Sequence, residues 1–260
     1  MDFQLVERNL RESFRALAPG RPRARILELP GVSIASLGVE FQMFNSAFLN
    51  GPVDSGDTLM RRLDTARTHF EREGIDWSFW FCEDWLGWLA RRRLGAMCAR
   101  QGLRCAAEMP GMATAELSPP KRPLPALDLR EVDSDATLAG FRQVGSQSFH
   151  VPPNWFSEVF DCAEPARRPG FRSMVAYLDG TPVATAAWVQ SPGAVGLYNI
   201  ATTPAYRGRG LGEAVTRLAA GRALSETGPM PVVLQSSPAG RELYQRLGFR
   251  TVARITVYNS

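Results

Sequence analysis

Alternating and helix-spaced apolar positions are clearest in the second half of the chain. Residues 127–132 alternate as a half-buried strand does. Asp133 and Ser134 offer N-caps for a helix running to about Phe149, and a short second helix is expected over 154–161, after Pro152-Pro153. Residues 171–177 and 182–190 read as strands joined by Asp179-Gly180, a hairpin-type turn. Ser191-Pro192-Gly193 then turns the chain into a strand over 195–201. From about Gly210 a helix places Leu211, Val215 and Leu218 on one face. Residues 231–235 form a short buried strand and 250–258 a closing one. Between them lies a helix over 238–247, stopped by Gly248, which suits the left-handed C′ conformation. The predicted order is βααβββαβαβ.

The first half is less regular. Strands are predicted over 40–49, 76–82 and 103–108, with helices over 58–73 and 88–100, the second ended by Gly102. This β, α, β, α, β order matches that of the last five elements of the second half. Between the halves lies Ser118-Pro119-Pro120-Lys121-Arg122-Pro123-Leu124-Pro125, where proline fixes φ and removes backbone donors. The chain therefore reads as an N-terminal domain over 1–118, a Pro-rich linker over 119–126 and a C-terminal domain over 127–260. The expected fold class is α+β with a mixed α/β sheet.

Composition narrows the chemistry. With 260 residues, 45% apolar and 22% charged, the chain has the balance of a soluble globular protein. No run approaches the ~18 apolar residues of a membrane span. The start, Met1–Glu7, lacks the basic flank and apolar stretch of a secretory leader, so a cytoplasmic location is the default expectation. Cys82, Cys98, Cys105 and Cys162 form no CxxC pair, and His69 and His150 are the only histidines, so no metal site is expected. Lys121 is the only lysine among the 30 basic residues, which excludes a Walker P-loop lysine and argues against a Schiff base. Arginine is spread along the chain and the net charge is only +4, so no nucleic-acid partner is expected.

The most informative run is Tyr198-Asn199-Ile200-Ala201-Thr202-Thr203-Pro204-Ala205-Tyr206-Arg207-Gly208-Arg209-Gly210-Leu211-Gly212. A strand enters a glycine-rich turn, and the turn opens a helix whose first N–H groups lack partners and carry partial positive charge. Glycines at 208, 210 and 212 remove side chains that would keep an anion from those donors, and Arg207 and Arg209 add charge. The arrangement suits a diphosphate. It does not suit a dinucleotide fold: the spacing is GxGxG rather than GxGxxG, and the run follows antiparallel hairpins. Read on its glycines alone, the run is equally a tight structural turn.

Arg207, Gly210 and Gly212 fill the [RQ]xxGx[GA] signature of the GNAT superfamily of acyl-CoA-dependent N-acyltransferases, which the run resembles. The local text Tyr-Asn-Ile-Ala is similar to the corresponding strand of protein N-terminal acetyltransferases. Downstream, Ser237-Pro238-Ala239-Gly240-Arg241-Glu242-Leu243-Tyr244-Gln245-Arg246-Leu247-Gly248-Phe249 resembles the family's (N/S)xx(A/G)xxLYxxLGF helix and turn. The resemblance covers residues 127–260. It implies a GNAT fold with a bulged fourth strand, where backbone groups of Ile200, Ala201 and Thr202 pair with the pantetheine arm of acetyl-CoA or another acyl-CoA. It further implies that Arg207 and the amides of Gly208, Arg209, Gly210, Leu211, Gly212 and Glu213 take the pyrophosphate. Ser237 stands where an asparagine often contacts the cofactor, and Tyr244 where a tyrosine protonates the departing thiolate.

That last role is chemically reasonable, because a thiolate whose conjugate acid has a pKa near ~8.5 can take a proton from a nearby phenol. Tyr244 equally suits core packing beside Leu243 and Leu247. Neither of the strands at 195–201 and 231–235 contains an acid to deprotonate an amine. His150, Glu158, Asp161 and Glu164 are candidates from the region that borders the acceptor in this family, and Tyr198 or Asn199 could order a water. Tyr198, Asn199 and His150 are the candidate substrate contacts.

The first half echoes the second. Met43-Phe44-Asn45-Ser46-Ala47 parallels Leu197–Ala201, and aligning Gly102 with Gly248 puts Cys98 where Tyr244 stands. The echo is followed by Gly51-Pro52-Val53-Asp54-Ser55-Gly56-Asp57, which lacks the glycine signature and carries two acids that would repel a diphosphate. This half is similar to the degenerate copy of tandem-GNAT proteins. Trp77, Trp80, Trp85 and Trp88 suit its core, or a wall of the acceptor pocket where the halves meet. Cys98 suits a small buried residue better than a nucleophile. The expected activity is N-acyl transfer to an amine of a small molecule or peptide. A non-catalytic acyl-CoA sensor and a tRNA-dependent aminoacyl transferase are the alternatives. The sequence leaves acceptor identity and oligomeric state open.

Overall fold

The computed structural model describes residues 2–161 and 170–260. Its N-terminal half comprises α1 (Phe3–Ala16), β1 (Arg25–Leu29), β2 (Val32–Ser36), β3 (Asn45–Leu49), α2 (Gly56–Glu73), β4 (Ser78–Cys82), α3 (Trp88–Arg100) and β5 (Arg104–Thr114). The C-terminal half comprises β6 (Asp128–Glu131), α4 (Asp135–Phe149), α5 (Pro153–Val159), β7 (Arg172–Leu178), β8 (Thr181–Ser191) and β9 (Ala194–Thr202). It ends with α6 (Leu211–Thr227), β10 (Val232–Gln235), α7 (Arg241–Arg246) and β11 (Arg250–Asn259). The second half follows the predicted βααβββαβαβ order. The Asp133-Ser134 start is confirmed as a capping box, in which the Ser134 and Thr137 side chains each accept the other's backbone N–H.

The first half holds three elements that the sequence reading did not assign: α1, β1 and β2. Phe3, Val6, Leu10 and Phe14 lie at helical spacing, and the Asp2 carboxylate caps the Gln4 amide. The strand expected over 40–49 begins only at Asn45, after a 3-10 turn at Gln42–Phe44. The reason is the buried Asn45 amide. Its oxygen accepts from the Gly38 and Val39 N–H groups at 3.0 and 3.3 Å, folding residues 38–45 into a turn.

The eleven strands of the described residues form one mixed sheet in the order β1-β2-β3-β4-β11-β5-β10-β9-β8-β7-β6. Its centre is interleaved. β5 lies antiparallel between β11 and β10, while β11 lies antiparallel between β5 and β4. Outside them, β3 is parallel to β4 and β9 is parallel to β10. Each half thus lends its last strand to the sheet beside the other half's parallel pair, and the arrangement repeats about the β5–β11 pairing.

Helices cover both faces, as a sheet with two apolar faces requires. Packed on one face are α2 and α3 over Ile34, Ala47 and Phe79, and α6 and α7 over Ala186, Leu197 and Leu234. The other face carries α4 and α5 over Val175 and Val189, and α1 over Phe48, Trp80, Ala113 and Val233. So α1 belongs to the first half in sequence but spans strands of both. Its fully buried Asn9 donates to Val189 O at 3.1 Å and to Ser191 Oγ at 2.9 Å, and accepts from the Tyr198 hydroxyl at 2.6 Å. Gly196 makes the approach possible: a Cβ there would lie 1.7 Å from Asn9 Oδ1.

Candidate functional site

The site begins where β9 leaves its neighbours. β9 and β10 pair only at Val195–Val232 and Gly196–Val233, after which they part. On its other side β9 pairs with β8 at Ala184–Thr202, Thr185–Ala201 and Ala187–Tyr198. Between Tyr198 and Ala201 it carries one residue more than β8 does, which is a β-bulge. Asn199 occupies it in a left-handed conformation, φ 48°, and its carbonyl accepts from the buried Thr185 hydroxyl at 2.7 Å. The bulge and the parting of β9 from β10 leave an open strand edge along Ile200–Thr202. That is the geometry in which an extended amide-bearing chain can pair as a strand would.

The same strand runs into the glycine turn. Gly208 and Gly210 have φ of 78° and 84°, values that L side chains rarely adopt. A Cβ at Gly208 would meet no protein atom within 4 Å and would stand in open space. Gly212 is glycine for a further reason, since a Cβ there would lie 3.3 Å from Leu243 Cδ2, where α6 packs against α7. No side chain caps α6, whose first helical bond is from Ala214 N–H to Gly210 O at 3.1 Å. The amides of Leu211, Gly212 and Glu213 therefore have no partner within the helix.

Around these amides lies a cleft of about 780 Å³, which Ile200, Ala201, Thr202, Gly208 and Gly210–Glu213 line on one side. Ser237, Gly240, Leu243 and Tyr244 line it from the α7 side. Arg207 also lines it, held by bonds to Thr202 O and Ser148 O, both 3.2 Å. Arg209 does not line it; its guanidinium stacks over Tyr206 and donates to Ala205 O. The Ser237 hydroxyl accepts from Gly240 N–H at 3.3 Å. Two cationic residues that the sequence reading passed over, Arg122 and Arg246, complete the wall. Each stood inside a run already singled out, Arg122 among the linker prolines and Arg246 between Tyr244 and Gly248.

Tyr244 is 7% exposed and packs edge-on to Phe249, with 5.8 Å between ring centres. Gly240 makes room for its ring: a Cβ there would lie 2.9 Å from Tyr244 Cε2. Among the described residues the Tyr244 hydroxyl takes no hydrogen bond, and burial pushes the phenol above its ordinary value. It keeps its proton throughout the neutral range. Burial likewise raises Tyr198, and pushes Tyr258 up to about 12. Phenols in the unfolded chain ionise near ~10. Above that pH the unfolded state holds fewer protons than the native state, so stability falls as pH rises. Urea unfolding should show this loss setting in above about pH 10 and absent, from this cause, between pH 7 and 9.

The remaining candidates separate. His150 caps the C-terminus of α4 in a left-handed conformation, φ 54°, and lines the cleft. Tyr198 and Asn199 do not line it, Tyr198 being bonded to Asn9 and Asn199 holding the bulge. Glu158 accepts from Glu40 N–H at 2.8 Å, and Asp161 pairs with Arg21 at 3.2 Å. Glu164 lies outside the described residues, as does Cys162. Trp77 and Trp80 are core residues, Trp85 is partly buried and Trp88 is 66% exposed. Cys98 is buried, and burial raises its thiol above the usual range, consistent with packing. Among the described residues no cluster of His, Cys, Asp and Glu could hold a metal ion, and no helix is long and apolar enough to cross a membrane.

The equivalent place in the first half is closed. After the β3–β4 pairing the chain makes a further parallel bridge, Val53–Leu86, with Val53 N–H on Trp85 O and Gly87 N–H on Val53 O. The Ser55 side chain caps α2 through Thr58 N–H. Arg62 occupies the loop carbonyls, donating to Gly51 O and Pro52 O at 2.7 Å each. No parted strands and no bare helix end are offered there.

Comparison with known proteins agrees with this geometry. The family model described as "Acetyltransferase (GNAT) domain" matches residues 169–251. No curated protein matches the sequence. Among solved structures, the chain is similar to a GCN5-related N-acetyltransferase from Kribbella flavida, with TM-score 0.73 and 19% identity over 99% of this chain and 94% of that one. It is also similar to a conserved protein of unknown function from Staphylococcus epidermidis, with TM-score 0.65 and 10% identity over 92% and 94% of the two chains. A GCN5-related N-acetyltransferase from Sphaerobacter thermophilus gives TM-score 0.61 and 15% identity over 88% and 76%. At these identities the likeness is one of fold.

Proposed function

We propose, from the match of residues 169–251 to the GNAT acetyltransferase domain, that the chain transfers an acetyl or other acyl group from acyl-CoA to an amine of a small molecule or peptide. The observation that carries the reading is the bulged, parted edge of β9 running directly into an uncapped helix. The donors fit a CoA molecule: amides at Gly208–Glu213 for the diphosphate, free strand edge at Ile200–Thr202 for the pantetheine arm, and Arg207 and Ser237 beside them. When bound, the thioester supplies the acyl group that the amine attacks.

The chain's own residues then manage protons. Tyr244 holds a proton on Oη at neutral pH and, without a competing acceptor among the described residues, can give it to a departing sulfur. His150 lines the cleft, and its imidazole is placed to take the proton that the amine loses. Glu213, the acid beside the amides, is held by Arg217 at 2.8 Å and is not free for that role. The first half supports the site by holding α1 on the sheet and takes no cofactor of its own. We read it as a degenerate copy of the second, the two domains of the chain being 1–118 and 127–260.

Incubation with acetyl-CoA and a panel of amines and peptides, followed by free-thiol release, tests the reading. Amine-dependent release above hydrolysis is the expected result. The acid-free strands β9 and β10 favour one alternative, a module that binds acyl-CoA without turning it over. Binding with no release across the panel would establish that alternative instead.

A further inference from the structure

The Pro-rich segment between the halves is more than a connection. Its start is tied to the end of α7 by Ser118 N–H to Leu247 O at 3.0 Å. Further on, Arg122 and Pro125 lie against the glycine turn, each with an atom 3.5 Å from where a Cβ on Gly210 would be. Prolines at 119, 120, 123 and 125 stiffen the stretch, so its side chains are presented with little conformational freedom. Lys121, the chain's only lysine, and Arg122 are thereby displayed beside the cofactor loop.

These two residues meet Arg246 of α7 around a recess of about 430 Å³, which shares Arg122, Glu213 and Arg246 with the main cleft. Among the described residues, Lys121, Arg122 and Arg246 have no ion-pair partner, and the only acid lining the recess, Glu213, is already paired with Arg217. Three unneutralised cations converging on one hollow form a site for a compact, highly charged anion. The turn's amides suit a diphosphate, and the recess opens beside them. Coenzyme A carries, besides that diphosphate, a ribose phosphate monoester whose charge near pH 7 is about −1.5 to −2.

Resting on the reading of the cleft as an acyl-CoA site, we infer that Lys121, Arg122 and Arg246 form the subsite for the 3′-phosphate of the cofactor. The linker is thus a specificity element that selects phosphorylated CoA over its 3′-dephospho form. Charged hydrogen bonds of this kind set the expected preference at roughly ten- to a hundredfold. The preference weakens as the monoester loses charge below about pH 6 and as salt rises.

Calorimetric titration of the full chain with CoA and with 3′-dephospho-CoA tests this, using the wild type, Lys121→Ala/Arg122→Ala and Arg246→Gln. In the wild type CoA should bind the more tightly. In the double variant the two ligands should bind almost alike, with the dephospho form near its wild-type affinity, and Arg246→Gln should lie between. All three side chains are at the surface or the cleft rim, and a melting curve checks that the variants fold. Equal binding of both ligands by the wild type overturns the inference but leaves the acyl-CoA reading intact. A preference that survives in the folded double variant overturns the assignment to the linker. No binding of either ligand overturns the acyl-CoA reading itself.

Discussion

Tyr244→Phe is expected to lower kcat by roughly 10²–10⁴-fold, the usual worth of a positioned general acid. Acyl-CoA affinity should stay within about twofold, because the lost hydroxyl acts as the sulfur departs rather than in the ground state. The structure makes this substitution unusually clean. The hydroxyl takes no hydrogen bond among the described residues, and the ring keeps its contact with Phe249. The variant should therefore melt at or slightly above the wild-type temperature. Steady-state kinetics alongside a melting curve would decide the matter: unchanged kcat makes Tyr244 a packing residue, whatever its place in the motif.

The second large effect concerns stability. Asn9→Leu is expected to cost roughly 3–5 kcal/mol of unfolding free energy, because it strands several buried polar groups at once. The Tyr198 hydroxyl loses its acceptor, while Val189 O and Ser191 Oγ lose the donor that joins them to α1. Tyr198→Phe removes one of those stranded groups, so the double variant should be less destabilised than the sum of the two single losses. Urea unfolding of the four proteins would measure this. A cost below about 1 kcal/mol for Asn9→Leu would mean that apolar burial alone holds α1 across the two halves.

The second half was legible because its signals are local. The capping box at Ser134, the hairpin at Asp179-Gly180, the helix opening at Gly210 and the stop at Gly248 each act over a few residues. What escaped was set by non-local partners. β11 is buried on both faces over residues 255–258, and nothing within residues 250–259 announces that β4 of the other half will be its neighbour. Asn45 converts part of an expected strand into a turn through amides six and seven residues upstream. Helix α1 was readable in principle, since Phe3, Val6, Leu10 and Phe14 sit at helical spacing beneath a highly charged surface. So was the β1–β2 hairpin, whose turn is Pro30-Gly31.

The site divided in the same way. The glycine turn could be found from sequence because positive φ leaves a mark in residue type, and both Gly208 and Gly210 have it. That the first half offers no diphosphate turn could be suspected from Asp54 and Asp57, but the physical cause is different and lies in the fold. The Val53–Leu86 bridge shuts the strand gap, and Ser55 and Arg62 satisfy the loop from within. Arg122 and Arg246 could not be assigned from sequence, because their meeting depends on the linker lying over α6 and α7.

Amide hydrogen exchange with and without acetyl-CoA tests the central claim most directly. Residues 208–213 are expected to exchange rapidly in the free protein, since no backbone carbonyl holds the leading amides of α6, and to slow sharply when the ligand is present. Residues 53–58 of the first half should be unchanged. Slowing confined to any other region, with 208–213 still exchanging freely at saturating ligand, would contradict the account.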